Sequence, residues 1–379
     1  MFEFCVPTLF GIESVAAGEF RRLGFDDVRA ETGKITFKGD ELTLAKANLW
    51  SRSGERVLLV MGRFSALDFD ALFDGVHNIP WENFIPRDGN FPVNGYSRQS
   101  VLTSIPACQS IIKKAIVKRL SARYRLSRLP EDGASYKVKF AIVKDVVEIY
   151  LDTSGDALHK RGYRAKANEA PLRETLAAAM VDFARFRGNR EGDALLDPFC
   201  GSGTIVIEAA LKAANIAPGA KRSFDAEKWN FIDKKIWRDA RTEALDLVKV
   251  TSADMVGSDI DPKTVELARS NARKAGVEKL VQFRCADALR LPLNEYKGTI
   301  VTNPPYGMRL LDAEESERIY KGIASKLRDM TDKQLYVLSG HPEFERVYGR
   351  RADKKRKLYN GMIPCGLFCY DGMFARTIK

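Results

Sequence analysis

Two short stretches about a hundred residues apart carry the residue types that could do chemistry. The first, ALLDPFCGSGTIVIEAA, is an apolar lead-in closed by Asp197. A turn with almost no side-chain bulk follows (Gly201-Ser202-Gly203-Thr204), then an alanine-rich helical pattern. Strand, small-residue turn and helix hold a nucleotide-like ligand at the carboxyl edge of an open α/β sheet. Glycines let backbone amides come close, and a helix N-terminus favours a carboxylate or phosphate. Two more aspartates, Asp259 in VGSDID and Asp287 in FRCADA, are expected to end the next two strands. Three successive strand-end carboxylates mark a cofactor crevice. Asp197 would organise the loop or meet an amino group, Asp259 would accept two ribose hydroxyls, and Asp287 would accept from an adenine amine. The second stretch, IVTNPPYG, ends an apolar run in a rigid turn. There the Asn303 side-chain carbonyl and the Pro304 backbone carbonyl can accept both N–H bonds of an amine. Two prolines preorganise them. Tyr306 offers a face on which an extruded base can stack.

The loop alone does not name its ligand. It lacks the third glycine of GxGxxG and the GK[ST] of a P-loop. Together, DPFCGSGT and NPPYG resemble the AdoMet-dependent methyltransferases that modify exocyclic amines of nucleobases. The likeness then widens along nearly the whole chain. FDALFDGVHNIPWENFIP, FPVNGYSRQSVLTSIPACQSIIKKAIVKRL, LHKRGYR and KRKLYNG resemble the THUMP-containing RNA methyltransferases, in the bacterial branch similar to 23S rRNA guanine-N2 methyltransferases.

That resemblance implies S-adenosyl-L-methionine as cofactor. Its contacts would be Asp197, Phe199, Gly201, Gly203, Thr204, Asp259, Ile260 and Asp287, beneath a helix carrying Glu174 and Thr175. Asn303, Pro304, Pro305 and Tyr306 would be the catalytic turn. An exocyclic amine is a poor nucleophile because its lone pair is delocalised into the ring. Accepting its N–H bonds localises that pair, and no strong base is needed. The partner would be RNA, specifically large-subunit rRNA, met by Lys113, Lys114, Lys118, Arg161, Arg164, Lys355 and Arg356.

Charge agrees with a polyanionic partner. The net charge is +11, and neutralising phosphates releases counterions. Eight Lys/Arg lie between Arg98 and Arg128 with no Asp or Glu, and seven between Arg346 and Lys357 against Asp353 alone. A charged helix face is ordinarily a solvated one; clustering without counter-acids favours nucleic acid. No apolar run is long enough to span a membrane. No signal-peptide pattern opens the chain, and six scattered cysteines form no CxxC. The expectation is a cytoplasmic protein with no metal and no membrane partner, a monomer or weak oligomer.

The positioning elements follow from periodicity. Residues 2–64 read as βαββαβ, a ferredoxin-like arrangement. Residues 65–155 carry a basic amphipathic helix, with Arg119 on its apolar side expected to snorkel outward, and two strongly alternating strands, the THUMP unit. Residues 156–164 read as a linker and 165–379 as a Rossmann-like class I methyltransferase domain, interrupted by an insertion over 213–255. The expected fold is therefore α/β, preceded by an α+β region. On this division the front 155 residues only position RNA, so a chain lacking them should still bind cofactor. Two further readings stay open: a DNA adenine-N6 methyltransferase, which the same turn would serve, and a non-catalytic RNA-binding scaffold.

Overall fold

The computed structural model describes residues 1–164, 172–306, 313–328 and 334–370. The front half runs β1 (Phe2–Pro7), α1 (Glu13–Arg22), β2 (Asp26–Glu31), β3 (Lys34–Gly39), α2 (Glu41–Trp50) and β4 (Leu58–Ser65), the expected βαββαβ order. It continues through α3 (Phe69–His77), β5 (Val93–Arg98), α4 (Ile105–Tyr124), β6 (Val138–Val143) and β7 (Val146–Asp152). Helix starts follow side-chain capping: Asp40 and Thr43 form a capping box on α2, and Ser104 caps α4.

These strands form one sheet, ordered β2-β3-β1-β4-β7-β6-β5. The seam between the ferredoxin-like and THUMP units is the antiparallel β4–β7 pair, Leu58 opposite Asp152 through Ser65 opposite Val146. A single ladder thus crosses the expected boundary.

The second half contains α5 (Glu174–Phe183), β8 (Ala194–Asp197), α6 (Thr204–Ala213), α7 (Lys234–Asp246), β9 (Asp254–Asp259), α8 (Pro262–Ala275), β10 (Gln282–Cys285) and β11 (Thr299–Thr302). It closes with α9 (Ala313–Leu327), β12 (Gln334–Ser339), α10 (Phe344–Tyr348), β13 (Lys354–Asn360) and β14 (Ile363–Tyr370). Sheet order is β10-β9-β8-β11-β12-β14-β13. The first five are parallel; β14 and β13 pair antiparallel at the edge. Strands β8, β9 and β10 step outward one way, and β11 returns to the other side of β8. That reversal is the switch point where open α/β sheets hold ligands.

The halves are fused by the insertion. Phe224, Trp229, Ile232 and Trp237 belong to the same buried core as Phe4, Phe37, Leu72 and Phe140 of the front sheet. Trp229 stacks on Tyr136 with centroids 5.2 Å apart and donates to the Ser135 carbonyl at 2.8 Å. Helix α7 lies on α2, where Lys46 pairs with Glu243 at 2.8 Å. At roughly 1.5–3 kcal/mol for each large apolar side chain buried, these four alone contribute on the order of 6–12 kcal/mol.

Residues 156–164 do not behave as a loose linker. Leu158, Arg161 and Tyr163 are buried. Arg161 donates to the Leu158 carbonyl at 2.7 Å and to the Ser51 carbonyl, and pairs with Glu208 of α6 at 3.4 Å. The RNA contact expected of Arg161 is therefore corrected: at 4 % exposure its guanidinium bolts the front half to α6.

Candidate active site

Strand β8 delivers Asp197 to the switch point almost fully buried. Its Oδ1 accepts from the Phe199 N–H at 3.1 Å and the Thr302 hydroxyl at 2.7 Å. Thr302 ends β11, so one hydrogen bond ties the glycine loop to the residue before Asn303. Burial, with the Asp259 charge adding, pushes the Asp197 carboxyl up to about 7. A cationic ligand group beside it would relieve that cost.

Asp259 ends β9 half-buried. Its Oδ2 accepts from the Gly201 N–H at 3.1 Å and its Oδ1 from Asp261 at 3.0 Å. A carboxylate has about four acceptor sites, so capacity for two hydroxyls remains. Ile260 next to it is 69 % exposed, an aliphatic face left open beside a carboxylate.

The two glycines differ. At Gly201 (φ +50°) an added Cβ would meet no atom within 4 Å, so this turn opens on free space. At Gly203 (φ +84°) a Cβ would come within 2.8 Å of the Phe283 ring and 3.1 Å of Ala268. Gly203 is needed for packing the loop against β10 and α8, while Gly201 opens toward the crevice.

Asp287 lies two residues beyond β10 and does not end it. Its Oδ1 accepts from the Leu289 N–H at 2.9 Å. The segment still reaches the crevice, because the Ala286 N–H donates to the Asp259 carbonyl at 3.0 Å.

Glu174 and Thr175 open α5, both buried. The Thr175 hydroxyl donates to Glu55 at 2.6 Å, and Glu55 also holds His159 at 3.0 Å and Arg173 at 3.1 Å. Although burial opposes it, these partners hold the Glu55 carboxyl below its ordinary range. Sequence reasoning missed Glu55, which nothing in its neighbourhood marks. Glu174 faces Arg164 at 3.5 Å. Arg164 donates to the hydroxyl of Thr204 at 2.8 Å, the residue that opens α6.

The Asn303–Tyr306 turn is held from outside itself. Tyr320 of α9 donates to the Pro305 carbonyl at 2.9 Å and contacts Ser339 at 3.0 Å. Asn360 of β13 donates to the Tyr306 hydroxyl at 3.1 Å, and a Cβ on Gly340 would lie 3.2 Å from the Tyr306 ring. Asn303 Oδ1 is buried and has no hydrogen-bond partner among the described residues. Such an orphan costs about 1–3 kcal/mol, so it reads as an acceptor waiting for a donor.

The basic helix α4 corrects the charge argument. Lys113 pairs with Glu131 and sits 3.5 Å over the Phe91 ring. Arg119 turns to both oxygens of Glu82, at 2.8 and 2.7 Å, and does not snorkel into solvent. The missing counter-acids lie outside the acid-free stretch and fold back onto it. Lys114 and Lys118 remain exposed. In the second cluster Lys355 is exposed, whereas Arg356 is half-buried and stacks on Phe183 at 4.2 Å.

A parallel sheet with carboxylates at its switch point, beside a preorganised Asn-Pro-Pro-Tyr turn, defines a methyltransferase of the Rossmann-like class. The chain belongs to the RMKL-like methyltransferase-domain family, which matches residues 161–368. An RlmL ferredoxin-like domain matches 3–58 and a THUMP domain 66–152. YpsC of Bacillus subtilis, provisionally named an RNA methyltransferase, is 42 % identical over 363 residues, covering 95 % of this chain and 93 % of its own. The ribosomal RNA large subunit methyltransferase K/L of Psychromonas ingrahamii is 36 % identical over 98 % of this chain and 50 % of its own. The chain thus spans about half the length of that relative. Among solved structures, SMU.472 complexed with S-adenosyl-L-homocysteine is 38 % identical, covers 98 % of both chains and has a TM-score of 0.91. A Listeria monocytogenes protein named for N6-adenine-specific DNA methylation is 43 % identical, covers 98 % and 96 %, and has a TM-score of 0.90.

Proposed function

We propose that this chain is an AdoMet-dependent RNA methyltransferase acting on an exocyclic base amine, guanine N2 in large-subunit rRNA. The observation that carries the reading is the buried Oδ1 of Asn303, without a hydrogen-bond partner among the described residues, in a turn braced by Tyr320 and Asn360. The residues fit the cofactor: Asp197, Asp259, Ile260 and the open side of Gly201 would hold it. When bound, it supplies an electrophilic methyl group with a neutral thioether as leaving group.

The chain's own part is orientation. Asn303 Oδ1 accepts one N–H of the amine, and the Pro304 carbonyl, to which no described residue donates, accepts the other. The Pro305 carbonyl is already taken by Tyr320, which leaves the Pro304 carbonyl as the turn's second acceptor. Tyr306, fixed at its hydroxyl, presents a stacking face. The Thr302–Asp197 bond keeps acceptors and cofactor carboxylate in register.

The THUMP match, the names of YpsC and the K/L relative, and the net charge of +11 support RNA over DNA. Residues 1–64 and 65–155 serve as the RNA-positioning front and 165–379 as the catalytic unit. The name of the Listeria relative favours adenine N6 in DNA as the second reading. Mass spectrometry of nucleosides from a deletion strain separates them. Loss of N2-methylguanosine from 23S rRNA, restored by the purified protein, is expected. Intact rRNA with lost N6-methyladenine in DNA would replace this reading with the second.

A further inference from the structure

Beside the catalytic turn lies a cavity of about 890 Å³ that neither basic cluster of the sequence lines. Its walls come from residues 156–164, the entry to α5, the insertion and the β13–β14 hairpin. Six lining side chains are cationic (Lys160, Arg161, Arg164, Arg173, Lys221 and Arg222) against Asp156 and Glu174; Arg161 and Arg173 are taken by Glu208 and Glu55 behind the wall, which leaves two positive charges in excess. Arg222 donates to the carbonyls of Ala157, Lys160 and Asp156, and pairs with no carboxylate among the described residues. Burial and the nearby charge of Arg161 pull its guanidinium down to about 10. Arg164, with a side chain only 9 % exposed, carries a buried Nε with no partner among the described residues. The surplus of cations and this open donor both call for an anion. Asn360 is part of the wall and also donates to Tyr306 at 3.1 Å, so cavity and catalytic turn are one contact apart.

We propose that this cavity is a phosphodiester subsite, seating the RNA backbone next to the nucleotide presented to Asn303. The subsite rests on the RNA reading above and deepens it. A volume near 890 Å³ accommodates a nucleotide-sized group. Backbone contacts position a strand without reading its sequence, and here they would set the distance from phosphate to reacting amine.

The test uses the full-length protein with Lys160→Glu and Lys221→Glu combined, both exposed, against a matched control, Lys235→Glu with Arg238→Glu on the exposed face of α7. A fluorescent single-stranded RNA oligonucleotide is titrated in the presence of S-adenosyl-L-homocysteine, and AdoMet binding is measured by calorimetry. The cavity pair should weaken RNA binding about tenfold and reduce the slope of log K against log salt by roughly 1.4, two contacts at about 0.7 each. AdoMet affinity should not change, and the control pair should do less than half as much. Equal losses in both pairs would reduce the cavity to bulk charge and overturn the subsite. Lost AdoMet binding with intact RNA affinity would overturn it in favour of a cofactor-carboxylate site. If the unsubstituted protein binds no RNA, the RNA reading itself fails and the subsite with it.

Discussion

The switch-point crevice and the junction between the two halves are built on opposite principles. The crevice is assembled from short contiguous motifs at strand ends, each residue placed by its own strand. The junction is assembled from pairs that no local pattern predicts: Trp229 on Tyr136, Thr175 on Glu55, Arg161 on Glu208. Yet the junction reaches the crevice, because Glu55 of the front half holds the first turn of α5 and Arg164 holds Thr204. The division of labour read from motifs alone, with a positioning front and a catalytic back, is thus incomplete. The front half also forms part of the frame of the back.

The largest effect expected from this comparison is on a chain lacking residues 1–155. It would expose Phe224, Trp229, Ile232 and Trp237 and remove Glu55. The apolar loss, on the order of 6–12 kcal/mol, rivals a domain's whole stability of about 5–15 kcal/mol. The sequence-based expectation of normal cofactor binding is therefore reversed. Circular dichroism should show no cooperative melting, and calorimetry no AdoMet binding; a cooperatively melting fragment that binds AdoMet would restore the simpler division.

Within the crevice, Asn303→Ala should cut single-turnover methylation by about 100-fold or more while AdoMet affinity stays within a fewfold, as for loss of one preorganised acceptor. Unchanged turnover would remove Asn303 from the chemistry. Gly203→Val places a branched side chain at φ +84° against Phe283 and Ala268, and should cost about 3 kcal/mol through strain and overpacking. AdoMet binding should fall with it, because the loop must move. A thermal melt within a degree of wild type would show that the loop tolerates the change.

Asp197 sharpens the comparison through pH. Its folded-state carboxyl stands at about 7, against about 3.9 in an unfolded chain. Between those values the folded state holds a proton that the unfolded chain has released, so stability falls as pH rises through the window. Asp197→Asn should therefore be more stable than wild type above about pH 7 and equal to it below about 4. AdoMet affinity should run the other way under the proposed contact of its ammonium with the Asp197 carboxylate, tightening from about pH 5 to about 7. A pH-independent affinity over that range would separate Asp197 from the cofactor.

The smallest effect is expected on α4. Changing Lys113, Lys114 and Lys118 to Glu should weaken RNA binding and flatten its salt slope by less than three contacts' worth. Lys113 is already occupied by Glu131 and Phe91 and Lys118 sits 5.3 Å over the Phe73 ring, so among the described residues Lys114 is the one of the three with no such pair. A slope change of three full contacts would mean that RNA displaces Glu131.

The sequence by itself determined the strand–turn–helix at Asp197, the βαββαβ front, the capping of α2 by Asp40 and the Asn-Pro-Pro-Tyr turn. All of these rest on periodicity or on residues within a few positions of each other, where the backbone sets the distance. It also placed Asp259 correctly across the insertion, because an apolar run ending in a carboxylate is a local signal. Only the tertiary structure decided which charges were already spoken for. Glu82 and Glu131 lie outside the acid-free stretch yet neutralise part of it, and Arg161, read as an RNA contact, is buried beside Glu208. It also decided that Gly203 is crowded by Phe283 and Ala268, that Asn303 Oδ1 has no partner among the described residues, and that Glu55 and Asn360 brace the site. The physical reason is common to all of these. Burial and ion pairing depend on which surfaces meet, and residues a hundred positions apart meet only once the insertion packs into the core of the front sheet.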